Sequence, residues 1–417
     1  MKTFVFFSLF LPLIVFGQAD TTQKIIWDRK NSIEQQKKPY VIMISIDGFR
    51  YDYPEKHRTI FFQKYWQQGV KAKYMVPSYP SLTFPNHYTL VTGLYPSHHG
   101  LVSNTIYDRM ANETYSMRRL EAVTNQKWYG GTPLWVLAEQ QHMLSASFYW
   151  VGSEAPIQGL WPTYYYRYNE EISIDKRIQT VKNWLSLPED RRPHFISFYF
   201  PEVDHDGHDY GPDGEETGKA VRWVDSVIFK MNEVVKSTGL DVNFIVVADH
   251  GMTKINQEES TVLAAFDSTK VAIARGETLV HVYVKNKKDI SAVYHSLKEK
   301  EKNYSVILKT EMPEYLHFDS KNDSFNRIGD ILLISHWPYV FRSGNRKPDP
   351  GAHGFDPYVV TDMRTIFYAW GSAFKKGKTI KPIKNVDVYN VVTKILGLNT
   401  VEKNDGDPKL PKKILKR

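Results

Sequence analysis

From Tyr40 onward, short apolar runs alternate with longer amphipathic stretches. Runs at 40–46, 144–150, 194–200, 242–248, 279–284 and 364–370 have the length and β-branched or aromatic content of strands. Segments 57–68, 84–92, 175–187, 217–238, 290–301 and 386–396 carry apolar residues at helical spacing. This alternation predicts an α/β sandwich around a mainly parallel sheet. Residues 255–345 are expected to form a smaller insertion, and 38–400 one catalytic domain. No internal repeat is present.

Both ends depart from this pattern. Met1-Lys2, an apolar run from Phe4 to Phe16 and Gly17-Gln18 read as a signal peptide over residues 1–17. The run is too short for a spanning anchor, so an exported protein is expected, periplasmic or secreted, without a transmembrane anchor. Residues 401–417 form a basic tail (Lys409, Lys412, Lys413, Lys416, Arg417), which reads as a solvated, frayed terminus.

Composition adds two constraints. The net charge of +8 suits an anionic substrate without specifying one, and neither it nor the tail points to a specific nucleic-acid partner. The absence of cysteine excludes disulfides, a thiol nucleophile and thiolate ligands. Histidine and carboxylate are then the available strong metal ligands, which favours zinc among Zn, Mn, Mg and Ca.

Those residue types concentrate in a few segments. Asp47 ends the run 41–46, Asp249-His250 follows 244–248, and Asp204-His205-Asp206-Gly207-His208 follows 195–200 after a short gap. In an open parallel sheet the strand carboxyl ends face the ligand crevice, so three carboxylates and several imidazoles would meet there. A divalent cation resolves such a charge concentration. Asp204 and His208 share the i, i+4 spacing of one helical face, while His205 and Asp206 compete with them for ligation. Asp-His alone is also ordinary turn chemistry. His353 lies between Gly351 and Gly354, which suit close backbone approach. Thr83 precedes Phe84-Pro85-Asn86-His87 and an apolar helical pattern ended by Gly93. It is the nucleophile candidate at a helix N-terminus, with simple capping as the alternative.

In this order the motifs resemble the nucleotide pyrophosphatase/phosphodiesterase family of the alkaline phosphatase superfamily, in its bacterial type. The matching stretches are Ile46–Arg50, Pro80–Gly100, Asp204–His208, Ala248–Met252 and Gly351–Gly354. The resemblance implies an alkaline phosphatase-like three-layer sandwich and two Zn²⁺ per chain. Asp47, Asp249 and His250 would hold one ion beside Thr83, and Asp204, His208 and His353 the other. It also implies a phosphothreonine intermediate on Thr83, with Asn104 donating to a phosphate oxygen. Phe84 and Tyr168 would sandwich a base, with Trp150 and Glu154 as pocket wall. The implied reaction is hydrolysis of nucleotide phosphodiester and pyrophosphate bonds to a nucleoside 5′-monophosphate. Two alternatives remain: a choline or glycerophosphodiester phosphodiesterase of the same family, and a non-catalytic metal-binding secreted protein. Leu82 stands where many animal members carry Lys.

Overall fold

Val41, Met43, Ile245 and Val247 join one hydrophobic core, while Ile42, Ile44, Phe244 and Val246 join a second. Alternate side chains of a strand point to opposite faces, so these strands are covered on both sides. The computed structural model describes residues 20–263, 265–342, 344, 347–400 and 402–416. The leader expected at 1–17 lies outside the described residues. No helix among the described residues is long and apolar enough to cross a membrane.

The two cores flank a nine-stranded sheet. Its order is Lys24–Ile25, Tyr164–Tyr166, Ser145–Phe148, Phe195–Phe200, Tyr40–Ile46, Val242–Val247, Phe367–Trp370, Gly69–Ala72, Lys378–Ile380. Only Lys24–Ile25 and Phe367–Trp370 run against the rest, so the sheet is mainly parallel. Tyr88, Leu90 and Val91 of the helix Thr83–Thr92 enter the first core, with Leu134–Gln140 and Val388–Leu396 beside them. Phe61–Gln68, Ile174–Leu185 and Glu215–Lys236 cover the other face. The result is the three-layer α/β architecture expected.

The strand 279–284 is present and lies within the inserted segment. Val271–Arg275, Leu279–Val284, Ile331–Ser335 and Tyr304–Leu308 form a separate antiparallel sheet within 255–345. Val280, Val282 and Val284 face a satellite core, whereas Leu279 and Leu332 join the first main core. Thr253–Lys254 pairs with Gly351–Ala352 where the chain leaves and re-enters the main body.

The ends differ from expectation. Lys24–Ile25 adds an edge strand before residue 38, because its backbone pairs with Tyr164–Tyr165. The basic tail is not frayed between 402 and 416. Leu410–Ile414 is a short helix whose Leu410 and Ile414 are buried, and Leu415 bridges Phe374. Three apolar side chains sharing one side outweigh the surrounding lysines, which stay in solvent.

Candidate active site

Three neighbouring parallel strands deliver the acids. Asp47 directly follows Tyr40–Ile46, Asp249 lies two residues past Val247, and Asp204 sits in the first turn of the helix Glu202–Tyr210 after Phe195–Phe200. Gly48, at φ +66°, makes the meeting possible: a Cβ there would stand 2.9 Å from Asp204 Cα. Thr253–Lys254, just beyond Asp249-His250, pairs with Gly351–Ala352 and so carries His353 back to the same edge. A Cβ on Gly351 would stand 2.0 Å from the Gly207 carbonyl, so the flanking glycine serves the close approach expected of it.

The ligand atoms of Asp47, Asp249 and His250 all lie within 4.8 Å of one another, and so do those of Asp204, His250 and His353. His208 Nε2 is 3.6 Å from Asp204 Oδ2, as the i, i+4 spacing on a helix dictates, and the His208 and His353 rings are 5.0 Å apart. All six expected ligands therefore converge, with His250 between the two groups. His205 stands 3.7 Å from Glu170, outside both groups, and Asp206 belongs to neither.

The hydrogen bonds around these residues point to a cation. His250 Nδ1 faces the Gly251 carbonyl at 3.0 Å, His353 Nδ1 that of Ser81 at 3.1 Å, and His208 Nδ1 that of Gly351 at 2.9 Å. A carbonyl only accepts, so each Nδ1 carries the proton and each Nε2 is turned inward. Those Nε2 atoms meet carboxylate oxygens: His250 Nε2 is 3.4 Å from Asp47 Oδ1 and 3.0 Å from Asp249 Oδ2, and His353 Nε2 is 3.8 Å from Asp204 Oδ1. All three oxygens are buried. Burial opposes charge on His250, yet Asp249 raises its pKa, so the site calls for positive charge at Nε2, either a proton or a metal ion that takes its place. Burial, with Asp249 and Asp204 alongside, pushes the Asp47 carboxyl well above its usual range. Burial acts the same way on Asp249, yet His250 and His87 hold it well below. Burial next to His250 and His208 drives His353 down, so its ring stays neutral, as a ligand must be.

Thr83 opens the helix Thr83–Thr92, with Leu82 at the capping position, so simple capping is not its role. Its Oγ1 is 3.1 Å from His250 Nε2. His87, one turn along and fully buried, holds the Thr83 carbonyl through Nδ1 at 2.9 Å, with Asp249 Oδ2 3.3 Å from the same nitrogen. Tyr199 donates to Asp47 Oδ2 at 2.6 Å. The amide N–H of Phe84 donates to Asn104 Oδ1 at 3.0 Å.

A cleft of about 540 Å³ opens beside Thr83, Asp47 and Asp204, lined by Phe84, Trp150, Glu154 and Tyr168 among others. Tyr168 is 44% exposed, and its ring meets Tyr149 edge-on at 5.3 Å and Tyr199 at 6.1 Å. Trp150 is 1% exposed. It forms the floor, and its Nε1 donates to the His87 carbonyl at 3.0 Å. Glu154 Oε1 accepts the Tyr168 amide at 2.9 Å, which makes this acid a support for the aromatic wall. Arg50 is tied to Asp52 and Asp362, and Arg109 to Asp330. Arg118 lines the cleft instead, together with Met117 and Glu170. Its only sequence signal is a position after the hairpin Thr105–Asp108/Glu113–Ser116, whose base ties Met117 N–H to the Asn104 carbonyl.

Similarity to known proteins agrees with this arrangement. A family model described as type I phosphodiesterase / nucleotide pyrophosphatase matches residues 41–356. The chain is 33% identical over 383 residues to ectonucleotide pyrophosphatase/phosphodiesterase family member 1 of Rattus norvegicus, covering 88% of this chain and 42% of that protein. It is 31% identical over 376 residues to venom phosphodiesterase 2 of Crotalus adamanteus, covering 87% and 46%. The chain thus spans less than half the length of these curated relatives. Murine ectonucleotide pyrophosphatase/phosphodiesterase 5 superposes with a TM-score of 0.82 at 28% identity, over 90% of this chain and 100% of that one. An inactive threonine-to-alanine variant of that enzyme in complex with AMP gives 0.83 at 27%, over 91% and 100%.

Proposed function

Because this chain belongs to the type I phosphodiesterase / nucleotide pyrophosphatase family, we propose that it hydrolyses nucleotide phosphodiester and pyrophosphate bonds and releases a nucleoside 5′-monophosphate. The observation that carries the reading is Thr83: a hydroxyl at a helix N-terminus, 3.1 Å from His250 in the midst of the acid–imidazole groups. The AMP complex of the murine relative supports a nucleotide ligand.

The ligand set favours two zinc ions, one held by Asp47, Asp249 and His250, the other by Asp204, His208 and His353. When bound, such ions supply the charge that ionises a hydroxyl near neutral pH and stabilises a departing oxygen. The rest falls to the protein. Phe84 and Tyr168 take the base between their rings, which fixes the phosphorus over Thr83. Thr83 Oγ1 attacks phosphorus in line, a P–O bond forms, and the opposite P–O bond to the leaving group breaks. Water then cleaves the resulting phosphothreonine and frees the monophosphate. The helix N-terminus and the Asn104 amide offset charge on the non-bridging oxygens. His87 holds Thr83 and Asp249 in register with each other.

A choline-type cage needs acidic and aromatic groups open to a quaternary ammonium. Glu154 accepts the Tyr168 amide and so braces the aromatic wall that the nucleotide reading uses. We further propose that residues 1–17 direct export and are removed. The governing experiment treats the purified protein with a chelator and follows hydrolysis of an aryl ester of thymidine 5′-monophosphate beside glycerophosphocholine. Nucleotide-ester activity should disappear and return with zinc. Full activity without divalent metal, or preference for the choline ester, defeats the proposal.

A further inference from the structure

Residues 78–82, the loop that leads into Thr83, are held by a closed set of buried hydrogen bonds. Asn86, one turn into the helix Thr83–Thr92 and fully buried, donates through Nδ2 to the carbonyls of Pro80 and Leu82, each at 2.9 Å. Its Oδ1 accepts the Ser78 amide at 2.8 Å. Both carbonyls can only accept and that amide can only donate, so the orientation of the Asn86 side chain is fixed. A second fully buried amide completes the set. Asn385 Nδ2 donates to the same Asn86 Oδ1 at 2.8 Å, and Asn385 Oδ1 accepts the Ser78 hydroxyl at 2.8 Å. Asn86 thereby uses both its donors and both lone pairs of its oxygen.

Asn385 arrives from a distant part of the chain. Ile383–Lys384 pairs with Met75–Val76, which sets Asn385 beside Ser78 at the start of the short helix Asn385–Asp387. No motif segment includes it, since the last of them ends at Gly354.

The loop serves two parts of the site at once. Leu82 stands at the capping position directly before Thr83, and the Ser81 carbonyl receives His353 Nδ1 at 3.1 Å. Ser81 Oγ donates to the Phe355 carbonyl at 2.6 Å, two residues past that histidine. A shift of the loop would therefore move the Thr83 hydroxyl and the His353 ring relative to each other. A buried polar network with every partner satisfied holds one arrangement, because the loss of any member leaves another unpaired.

We infer that Asn385 is a positioning residue for the reaction. Its N–H, given to Asn86, fixes the loop and with it the placement of Thr83 against the group that contains His353. The inference rests on the threonine chemistry proposed above and deepens it. Asn385 itself touches neither the cleft nor the acid–imidazole groups.

The test uses Asn385→Ala and Asn385→Asp in the full chain, with the aryl ester of thymidine 5′-monophosphate as substrate. Zinc affinity and melting temperature are measured beside the kinetics. At saturating zinc, Asn385→Ala should lower kcat by about 10²-fold, the scale of a small misplacement of reacting groups, with KM little changed. Its zinc affinity should fall as well, since His353 leans on the same loop. Asn385→Asp keeps the shape, but its carboxylate sets an acceptor against Asn86 Oδ1, and only the protonated form can donate there. The kcat of Asn385→Asp relative to wild type should therefore fall as pH rises, while that of Asn385→Ala stays flat. If Asn385→Ala does not fold, the pH profile of Asn385→Asp decides alone. A lowered melting temperature with kcat unchanged per folded, zinc-loaded molecule marks a merely structural residue and overturns the inference. A pH-independent ratio for Asn385→Asp does the same, and both leave nucleotide hydrolysis standing. A wild type inert toward the ester overturns the parent reading and the inference with it.

Discussion

The side-chain oxygen of Asn104 accepts the backbone amide proton of Phe84 at 3.0 Å. That bond decides the orientation of the amide: Oδ1 is engaged, so Nδ2 is the end left to donate to phosphate. It also occupies the Phe84 amide, so Asn104 Nδ2 is the donor expected at the second phosphate oxygen. Asn104→Ala should lower diester hydrolysis by about 10²–10³, the usual cost of one oxyanion donor, with metal content unchanged. Asn104→Asp keeps the acceptor for Phe84 but not the donor, and should lose as much. Near-normal turnover in the Asp variant would make the Phe84 contact the important one.

Thr83→Ala should retain both metals and lose turnover by on the order of 10³–10⁶, since nucleophile and surroundings act as a unit. Thr83→Ser should keep part of it. Metal analysis alongside single-turnover kinetics checks this. An alanine variant within about tenfold of wild type would indicate direct attack by water.

Arg50 and Arg109 are committed to carboxylates, which leaves Arg118 as the one Lys or Arg among the described residues lining the cleft. A wide preference for an aryl nucleotide diester over the matching aryl monoester is expected, because no guanidinium fork is held beside Asn104. Faster monoester turnover would make Arg118 a phosphate clamp and remove the diester assignment.

His98 offers a pH test away from the metals. Its Nδ1 is 2.7 Å from Asp405 Oδ2 and its Nε2 3.0 Å from Asn322 Oδ1. The Asn322 amide nitrogen is already used on Asp319, so both ring nitrogens of His98 face acceptors. Both must donate, which is the imidazolium form. The Asp405 contact accordingly raises the His98 pKa above its ordinary 6.5. Burial works against ionised Asp405, yet His98 and the Tyr95 amide hold its carboxyl below the ordinary 3.8. A raised histidine stabilises fully below 6.5, and its contribution is lost as pH rises through the folded value. A depressed carboxylate stabilises above 3.8, and its contribution is lost as pH falls through the folded value. The wild-type advantage over His98→Gln in a denaturation series should therefore peak near roughly pH 5, at up to about 1 kcal/mol. An advantage that grows toward alkaline pH would contradict the pairing.

Asp47 and Asp249 were legible in the sequence because each follows a strand whose apolar pattern is strong. Asp47 and Asp249 cap runs buried on both faces, and such runs leave no doubt about where the strand ends. The helix Glu202–Tyr210 is nearly invisible by pattern: its core is Asp-His-Asp-Gly-His, and its stability comes from packing Gly207 against Met252 and the Gly351 strand. Strands of two to four residues, such as Gly69–Ala72, are too short to show alternation and exist because the neighbouring strand supplies their hydrogen bonds. Arg118 stayed hidden for another reason. Nothing local marks it, and its position depends on a hairpin leaning on an insertion more than 150 residues away.

The two-residue pairing of Thr253–Lys254 with Gly351–Ala352 has a further implication. It closes the inserted segment at its neck, so the path from Asp249 to His353 does not run through the segment's own sheet. Residues beyond the neck that do not pack on the main body, as Thr278, Leu279 and Leu332 do, can be lengthened, shortened or replaced while the histidine keeps its place. The inserted antiparallel sheet lies beyond that neck; Asp47, Thr83, Asp249, His250 and His353 do not. Exchanging the outer part of the insertion should therefore leave the acid–imidazole groups assembled, which the metal content of such a chimaera would check.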